Sequence, residues 1–132
     1  MTEEFEPHIV IVGLGYVGLP LAVALARHYR VTGFDNDPER IAELRRGEDR
    51  TGEIAREELE ASSVALTVEA EQGRDADIYI VTVPTPVDAE NDPDLSLLIA
   101  ASRSVAGLIE ADKKPVIVFE STVYPGVTEE IC

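Results

Sequence analysis

The sequence has 132 residues, of which 45% are hydrophobic and 28% are charged; this balance is typical of one globular domain and excludes wholesale disorder. Acidic residues outnumber basic ones by 26 to 11, and the formal net charge of −15 argues against nucleic-acid binding. No apolar run reaches the ~18 residues needed to cross a bilayer, and the acidic N-terminus is unlike a secretory signal. The single cysteine, Cys132, is typical of a reducing compartment, so we predict a cytoplasmic protein without membrane contact.

The first third of the sequence predicts two strand–helix units. Residues 8–12 form a β-branched run that ends at a glycine, as in a strand buried on both faces. Apolar residues at helical spacing predict a helix over residues 17–29, and a second strand follows over residues 31–34. Pro38 stands where the next helix begins, and its apolar positions continue to Gly47.

The rest of the sequence continues the alternation. A polar loop over residues 48–52 precedes a short helix over 56–61, and strands are predicted over 64–68 and 77–83. A proline-rich loop runs to about Asp94, followed by a helix over 95–109, a strand over 115–119 and a helix from Val127. Alternating strands and helices predict an α/β domain with a doubly wound, mostly parallel sheet.

A glycine motif lies between the first strand and the first helix. Gly13, Gly15 and Gly18 fit the spacing G-x-G-x-x-G. The first glycine permits a tight turn, the second lets the backbone approach a pyrophosphate, and the third lets the helix pack close to the strand. The motif predicts an anion site made of backbone amides and the positive end of the helix dipole.

An acidic residue stands at the distance that a dinucleotide site requires. Asp35 follows Gly15 by twenty residues and ends the second predicted strand. A carboxylate there accepts both ribose hydroxyls of adenosine and repels a 2′-phosphate, which favours NAD over NADP. The alternative is that Asp35 caps the helix that begins at Pro38. Arg40 is predicted to pair with Asp35 or to lie near the ribose, where it would weaken the NAD preference.

Hydroxyl side chains follow two later strands, at the edge of the sheet where ligands bind in doubly wound folds. Thr85 and Ser121 are candidates for cofactor contact, and Thr122 is a candidate for the reacting centre. Equally, these hydroxyls cap strand ends and helix starts, as Ser and Thr commonly do.

The remaining chemistry-bearing residues are weaker candidates. His8 and His28 are predicted to be surface residues, and Cys132 is predicted to be an ordinary thiol. No histidine–cysteine cluster has the spacing of metal ligands, so no metal site is predicted.

Five stretches together resemble the nucleotide-sugar 6-dehydrogenases, the UDP-glucose/GDP-mannose dehydrogenase family. They are IVGLGYVGLPLA, VTGFDNDPERI, TVPTPVD, PDLSLL and ESTVYPGVTEEIC, in the order and spacing of the family. They cover nearly the whole chain, and the last one is most similar to the branch that acts on UDP-N-acetylhexosamines for surface polysaccharides.

The resemblance implies a Rossmann-type NAD-binding domain and assigns roles to individual residues. Asp35 and Arg40 would bind the adenosine ribose, Thr85 and Ser121 would contact the cofactor, and Thr122 would stand at the catalytic centre. The NAD pyrophosphate would be held by residues Gly13, Leu14, Gly15, Tyr16, Val17 and Gly18.

Family members oxidise the primary alcohol of the sugar to a carboxylate, with two NAD and a thioester on a cysteine. By resemblance, that cysteine belongs to a later segment, so Cys132 is not given its role. We therefore expect residues 1–132 to be the N-terminal NAD-binding part of a longer enzyme, without its dimerisation and UDP-sugar domains. This part would bind NAD without turnover, and the whole enzyme would be a homodimer or a higher homo-oligomer.

Three alternatives remain open on the sequence. One is a UDP-glucose 6-dehydrogenase, another is a regulatory NAD-sensing module without chemistry, and the third is a dehydrogenase of 3-hydroxy acids. The third alternative shares the glycine loop but does not account for VPTPVD or ESTVYPG.

Overall fold

The computed structural model describes residues 6–86, 89–90, 94–109 and 113–120. Within these residues, strands and helices alternate as the sequence predicts. In chain order the elements are β1 (His8–Val12), α1 (Gly18–Ala26), β2 (Arg30–Phe34), α2 (Pro38–Arg45), α3 (Arg56–Ala61), β3 (Ala65–Thr67), a 3₁₀ turn (Ala70–Gly73), β4 (Ile78–Val81), α4 (Ser96–Ala106) and β5 (Val116–Phe119).

The five described strands form one parallel sheet in the order β3-β2-β1-β4-β5. The chain first builds outward from β1 to β3 and then returns to place β4 on the other side of β1. The strand order therefore reverses between β1 and β4. Such a reversal opens a crevice at the carboxyl ends of the two strands, because the connections that follow them diverge. The predicted doubly wound, Rossmann-type fold is confirmed.

The core has two layers because the side chains of β1 alternate between the faces of the sheet. Ile9 and Ile11 pack on one face with residues of α1, α2 and α3. Val10 and Val12 pack on the other face with β4 and α4. All five residues of β1 are buried, which explains why its sequence is a continuous apolar run.

Two element boundaries differ from the sequence prediction. Helix α1 ends at Ala26 rather than residue 29, because the amides of Arg27 and His28 bond to carbonyls three residues back and tighten the last turn. Strand β4 ends at Val81 rather than residue 83. The predicted helix from Val127 lies outside the described residues.

The 3₁₀ turn was not predicted and depends on a buried tyrosine. The Tyr79 hydroxyl donates to the Gly73 carbonyl at 2.6 Å and accepts from the Ala76 amide at 3.2 Å. Burial raises the pKa of Tyr79, so the hydroxyl keeps the proton that it donates. In the part of the chain that the structure describes, no helix is long and apolar enough to cross a membrane.

The prediction that His8 is a surface residue is wrong, whereas His28 is exposed as predicted. His8 is the first residue of β1, so it lies at the amino end of the central strand, whereas the crevice lies at the carboxyl ends. Its Nε2 is hydrogen-bonded to the Thr32 hydroxyl at 2.7 Å, and its amide donates to Asp77 at 2.8 Å. Burial and then the charge of Arg30 lower the pKa of His8, so the ring is neutral at pH 7.

Candidate functional site

A cleft of about 350 Å³ opens at the carboxyl ends of β1, β2 and β4. One wall is the glycine loop, another is the segment that follows β2, and a third is a face of α4 that includes Leu97 and Ala100. The cleft therefore lies at the reversal of strand order, where ligands bind in open α/β sheets.

The glycine loop has a tight turn at its start and a close approach at its end. Gly13 has a φ of +99°, a conformation that side chains disfavour. A Cβ on Gly18 would lie 1.8 Å from the Gly13 carbonyl oxygen and 2.4 Å from the Thr82 hydroxyl. The first and third glycines thus meet steric requirements inside the protein, as the motif predicts.

Gly15 differs from the other two glycines. A Cβ at this position would have no atom within 4 Å, so glycine is not required there by the protein itself. The open space adjoins the cleft, and helix α1 begins three residues later without a side-chain cap or an acidic residue in its first turn. This arrangement leaves a positive helix end facing a space of the kind that a phosphate fills.

Asp35 lines the cleft and is held by two backbone amides. Its Oδ2 accepts from the Leu14 amide at 3.0 Å, and its Oδ1 accepts from the Asp37 amide at 3.0 Å. Each oxygen keeps a further lone pair. The alternative that Asp35 caps α2 is wrong, because the cap is Asp37, whose carboxylate accepts from the Glu39 amide.

Arg40 does not pair with Asp35. Its guanidinium is buried, with Nε donating to the Leu14 carbonyl at 2.7 Å and Nη1 donating to Glu43 at 3.1 Å and to Asp49 at 3.0 Å. Its Nη2 is buried without a hydrogen-bond partner among the described residues. Since Arg40 also lines the cleft, it offers donors that a bound polar ligand would satisfy.

Asp49 organises this side of the cleft, and sequence reasoning missed it. Its side chain is fully buried and accepts five hydrogen bonds, from Arg40, from the amide and hydroxyl of Thr51, and from the amides of Glu53 and Ile54. Burial alone would raise the pKa of Asp49, but the bonds from Thr51, Ile54 and Arg40 lower it to about 2. It was missed because an Asp in a polar loop gives no periodic pattern.

Thr82 also lines the cleft and was not a candidate in the sequence analysis. Its hydroxyl donates to the Gly13 carbonyl at 2.6 Å and thereby fixes the turn of the glycine loop. Thr85 is half-buried three residues later and is not among the residues that line the cleft. Thr82 was missed because the sequence places it inside the predicted strand over 77–83, whereas the strand ends at Val81.

Three residues of the sequence analysis lie outside the described part of the chain. They are Ser121, Thr122 and Cys132. Ser121 and Thr122 follow the end of β5 by two and three residues, and their predicted roles stay predictions.

The comparison with protein families agrees with this geometry. A family model for the NAD-binding domain of the UDP-glucose/GDP-mannose dehydrogenase family matches residues 7–132. The chain belongs to this family. It represents the NAD-binding domain, and NAD is the cofactor of that domain.

Individual members of the UDP-glucose/GDP-mannose dehydrogenase family are similar to the chain over nearly its whole length. Protein CapL of Staphylococcus aureus is 46% identical over 125 residues, which are 95% of this chain and 29% of CapL. The UDP-N-acetyl-D-glucosamine 6-dehydrogenase of Pseudomonas aeruginosa is 47% identical over 94% of this chain and 29% of its own length. The structure of a UDP-D-ManNAc dehydrogenase from Pyrococcus horikoshii has a TM-score of 0.83 and 35% identity, over 94% of this chain and 30% of its own. The chain thus spans about 30% of the length of these relatives.

The described residues fit the NAD of the family in three respects. The open space at Gly15 lets a phosphate group approach the backbone without meeting a Cβ. The buried Nη2 of Arg40 lacks an acceptor, and the Asp35 carboxylate has lone pairs to spare. A ribose hydroxyl can accept a hydrogen bond from Arg40 Nη2 and donate one to the Asp35 carboxylate, so a ribose would fit both side chains.

Proposed function

We propose that the protein is an NAD-dependent UDP-N-acetylhexosamine 6-dehydrogenase and that residues 1–132 are its NAD-binding domain. The substrate would be oxidised at its primary alcohol to the uronate, for surface polysaccharide synthesis. The relatives at 46–47% identity support this choice, and one of them is named a UDP-N-acetyl-D-glucosamine 6-dehydrogenase. The observation that carries the NAD-binding part of the proposal is the open space at Gly15, in the cleft that Asp35 also lines and next to an uncapped helix end.

The proposed cofactor site uses the glycine loop for the pyrophosphate. The loop from Gly13 to Gly18 would place backbone amides and the start of α1 around the two phosphates. Because these donors belong to the backbone, their positions are fixed before the ligand arrives. Little ordering then opposes binding.

The adenosine ribose would bind between Asp35 and Arg40. Asp35 would accept from the ribose hydroxyls, and the unpaired Nη2 of Arg40 would donate to one of them. When bound, NAD supplies the hydride acceptor, and the protein supplies orientation and electrostatics. By resemblance, Thr85 and Ser121 would contact the cofactor beyond its pyrophosphate and adenosine ribose, and Thr122 would position the reacting oxygen by a hydrogen bond.

The cofactor site is tested by a pair of glycine substitutions. Gly15→Ala should keep the fold, because the added methyl meets no atom within 4 Å, and should weaken NAD binding by at least about tenfold, or ~1.4 kcal/mol. Gly107→Ala is the matched control, because Gly107 follows α4 away from the cleft and a Cβ there would have only ordinary contacts. Calorimetric titration with NAD measures both variants. Unchanged NAD affinity in Gly15→Ala would refute the pyrophosphate assignment.

The proposed reaction should be tested on the full-length protein. NADH formation should be fastest with a UDP-N-acetylhexosamine in a panel that includes UDP-glucose. Preference for UDP-glucose would move the protein to the other branch of the family, and no NADH with any sugar would favour a sensing role. Thr122→Ala should lower turnover more than NAD affinity, and the opposite pattern would make Thr122 a cofactor contact.

Two further features of the proposal rest on the sequence and the resemblance. The single cysteine of the sequence supports a cytoplasmic location. A homodimer or a higher homo-oligomer is the predicted assembly of the whole enzyme, and size-exclusion chromatography with light scattering would measure it.

A further inference from the structure

Two arginines and four carboxylates surround the segment of the cleft that follows β2. The arginines, Arg40 and Arg50, both line the cleft. An arginine near this position is what allows a Rossmann domain to accept the 2′-phosphate of NADP. Whether either arginine is available for that contact depends on the carboxylates around it, which are Asp35, Asp37, Glu43 and Asp49.

Glu43 contacts both arginines. Its Oε1 lies 3.1 Å from Nη1 of Arg40 and 2.8 Å from Nε of Arg50. Glu43 itself does not line the cleft, and its side chain is only 12% exposed. The largely buried Glu43 carboxylate, which does not line the cleft, thus contacts both Arg40 and Arg50.

We propose that Glu43 is a further specificity-determining residue, which withholds Arg50 from a 2′-phosphate and so adds to the selection of NAD that Asp35 would make. This inference rests on the proposed cofactor site. Arg40 is already enclosed by Leu14, Glu43 and Asp49, so Arg50 is the arginine that a change at Glu43 releases. Arg50 is about half exposed, so its side chain is long and mobile enough to turn toward the ribose once it is free.

Asp37 also holds Arg50, because its Oδ2 accepts a hydrogen bond from Arg50 Nη2, and this bond is the main cause of the raised pKa of Arg50. The Arg50–Asp37 pair is 3.2 Å long, and Asp37 is 43% exposed. An ion pair as exposed as this one contributes little to stability, and a doubly charged phosphate in the cleft competes with Asp37 for Arg50. The Glu43 carboxylate lies closer to Arg50 and is better shielded from water than that of Asp37, so Glu43 is the partner that a phosphate displaces less readily.

The test measures one ratio by calorimetry on the full-length protein. This ratio is the dissociation constant of NADP divided by that of NAD. Glu43→Gln should lower this ratio about tenfold by strengthening NADP binding. The variant should fold, because Arg40 keeps its bonds to Asp49 and Leu14. Glu58→Gln is the matched control: it removes one charge from an arginine pair outside the cleft, Arg27–Glu58 at 2.6 Å, and should leave the ratio unchanged.

A second single variant, Arg50→Gln, tests the role of Arg50 whether or not Glu43→Gln folds. In the parent protein this substitution should leave the ratio unchanged, since Arg50 is withheld. In the Glu43→Gln background it should reverse the gain in NADP affinity. A rise of the ratio in the single Arg50→Gln variant would mean that Arg50 already contacts the 2′-phosphate, which overturns the proposal.

The remaining outcomes separate this inference from the proposed function. If the parent binds neither nucleotide, or prefers NADP, the cofactor site itself is wrong. If the parent selects NAD and Glu43→Gln leaves the ratio unmoved, only the role of Glu43 is wrong. If Glu43→Gln weakens both nucleotides equally, Glu43 is structural and the inference fails.

Discussion

The two ends of the cleft are built in different ways. At the glycine loop, the groups that face the ligand are backbone amides, and the requirements are steric: Gly18 is enclosed by a carbonyl and a hydroxyl. At the segment that follows β2, the ligand-facing groups are ionised side chains, held by Glu43 and Asp49. One end is fixed by the path of the chain, and the other end is fixed by charge.

Because of this difference, each end of the cleft controls a different property of nucleotide binding. Backbone amides do not titrate near neutral pH, and among the usual substitutions only proline removes one, so the glycine loop sets whether a diphosphate binds. Side-chain charges respond to pH, salt and single substitutions. The charged end therefore sets which dinucleotide is selected and how selection varies with conditions.

The largest effect is expected at the backbone-built end, from Gly18→Ala. The added methyl would lie 1.8 Å from the Gly13 carbonyl oxygen, so the loop must move. We expect a loss of at least ~4 kcal/mol in the free energy of unfolding, measured by chemical denaturation. Gly15→Ala is the control and should stay within about 1 kcal/mol of the parent. Equal stability of Gly18→Ala and the parent would break the steric account.

The next largest effect is expected at the charged end, from Asp49→Asn. The substitution leaves the buried Arg40 with one carboxylate fewer and places an amide group among five donors. We expect a loss of about 3 kcal/mol at pH 7. Glu58→Gln, at an exposed pair, should cost under ~1 kcal/mol in the same denaturation experiment.

The pH dependence of the Asp49→Asn effect sharpens this prediction. The folded protein lowers the pKa of Asp49 from 3.8 to about 2, so the charged carboxylate favours the folded state. That contribution, about 2 kcal/mol, is complete above about pH 4 and is lost as the pH falls toward 2. The difference in unfolding free energy between the parent and Asp49→Asn should therefore shrink over that range. A difference that stays constant down to pH 2 would contradict the assignment.

The smallest effect is expected from salt. Four carboxylates against two arginines repel the additional phosphate of NADP, and salt screens this repulsion. The ratio of the NADP and NAD dissociation constants should fall roughly threefold between 50 mM and 500 mM NaCl. A ratio that rises with salt would show that a cation already holds the 2′-phosphate.

The fold could be predicted because its indications are local. The apolar run of β1, the glycines after it and Pro38 at the start of α2 each act on their own neighbours. The 3₁₀ turn at Ala70–Gly73 could not be predicted, since it depends on Tyr79 reaching back to it. The end of α1 was misplaced because its last turn is closed by hydrogen bonds to carbonyls three residues back, and an apolar pattern does not record that change.

The site could be predicted only where backbone geometry or spacing defines it. The glycine loop and Asp35 follow from the motif, and both line the cleft. The partners of Arg40 do not follow from the motif. Asp49 lies nine residues away in an irregular loop, and the sequence pattern does not show which acidic side chain of that loop is buried. Of the two predictions for Arg40, pairing with Asp35 is wrong, because Glu43 and Asp49 enclose its guanidinium, and a position near the ribose stays a prediction.

Leu14 belongs to both the cleft and the core. Its amide donates to Asp35 and its carbonyl accepts from Arg40, whereas its side chain is fully buried and packs where Gly33 leaves room. A substitution that repacks the interior around Gly33 shifts the backbone that carries both bonds. Directed evolution of this domain for heat tolerance would therefore have to screen for nucleotide affinity at the same time, because the two traits share one residue.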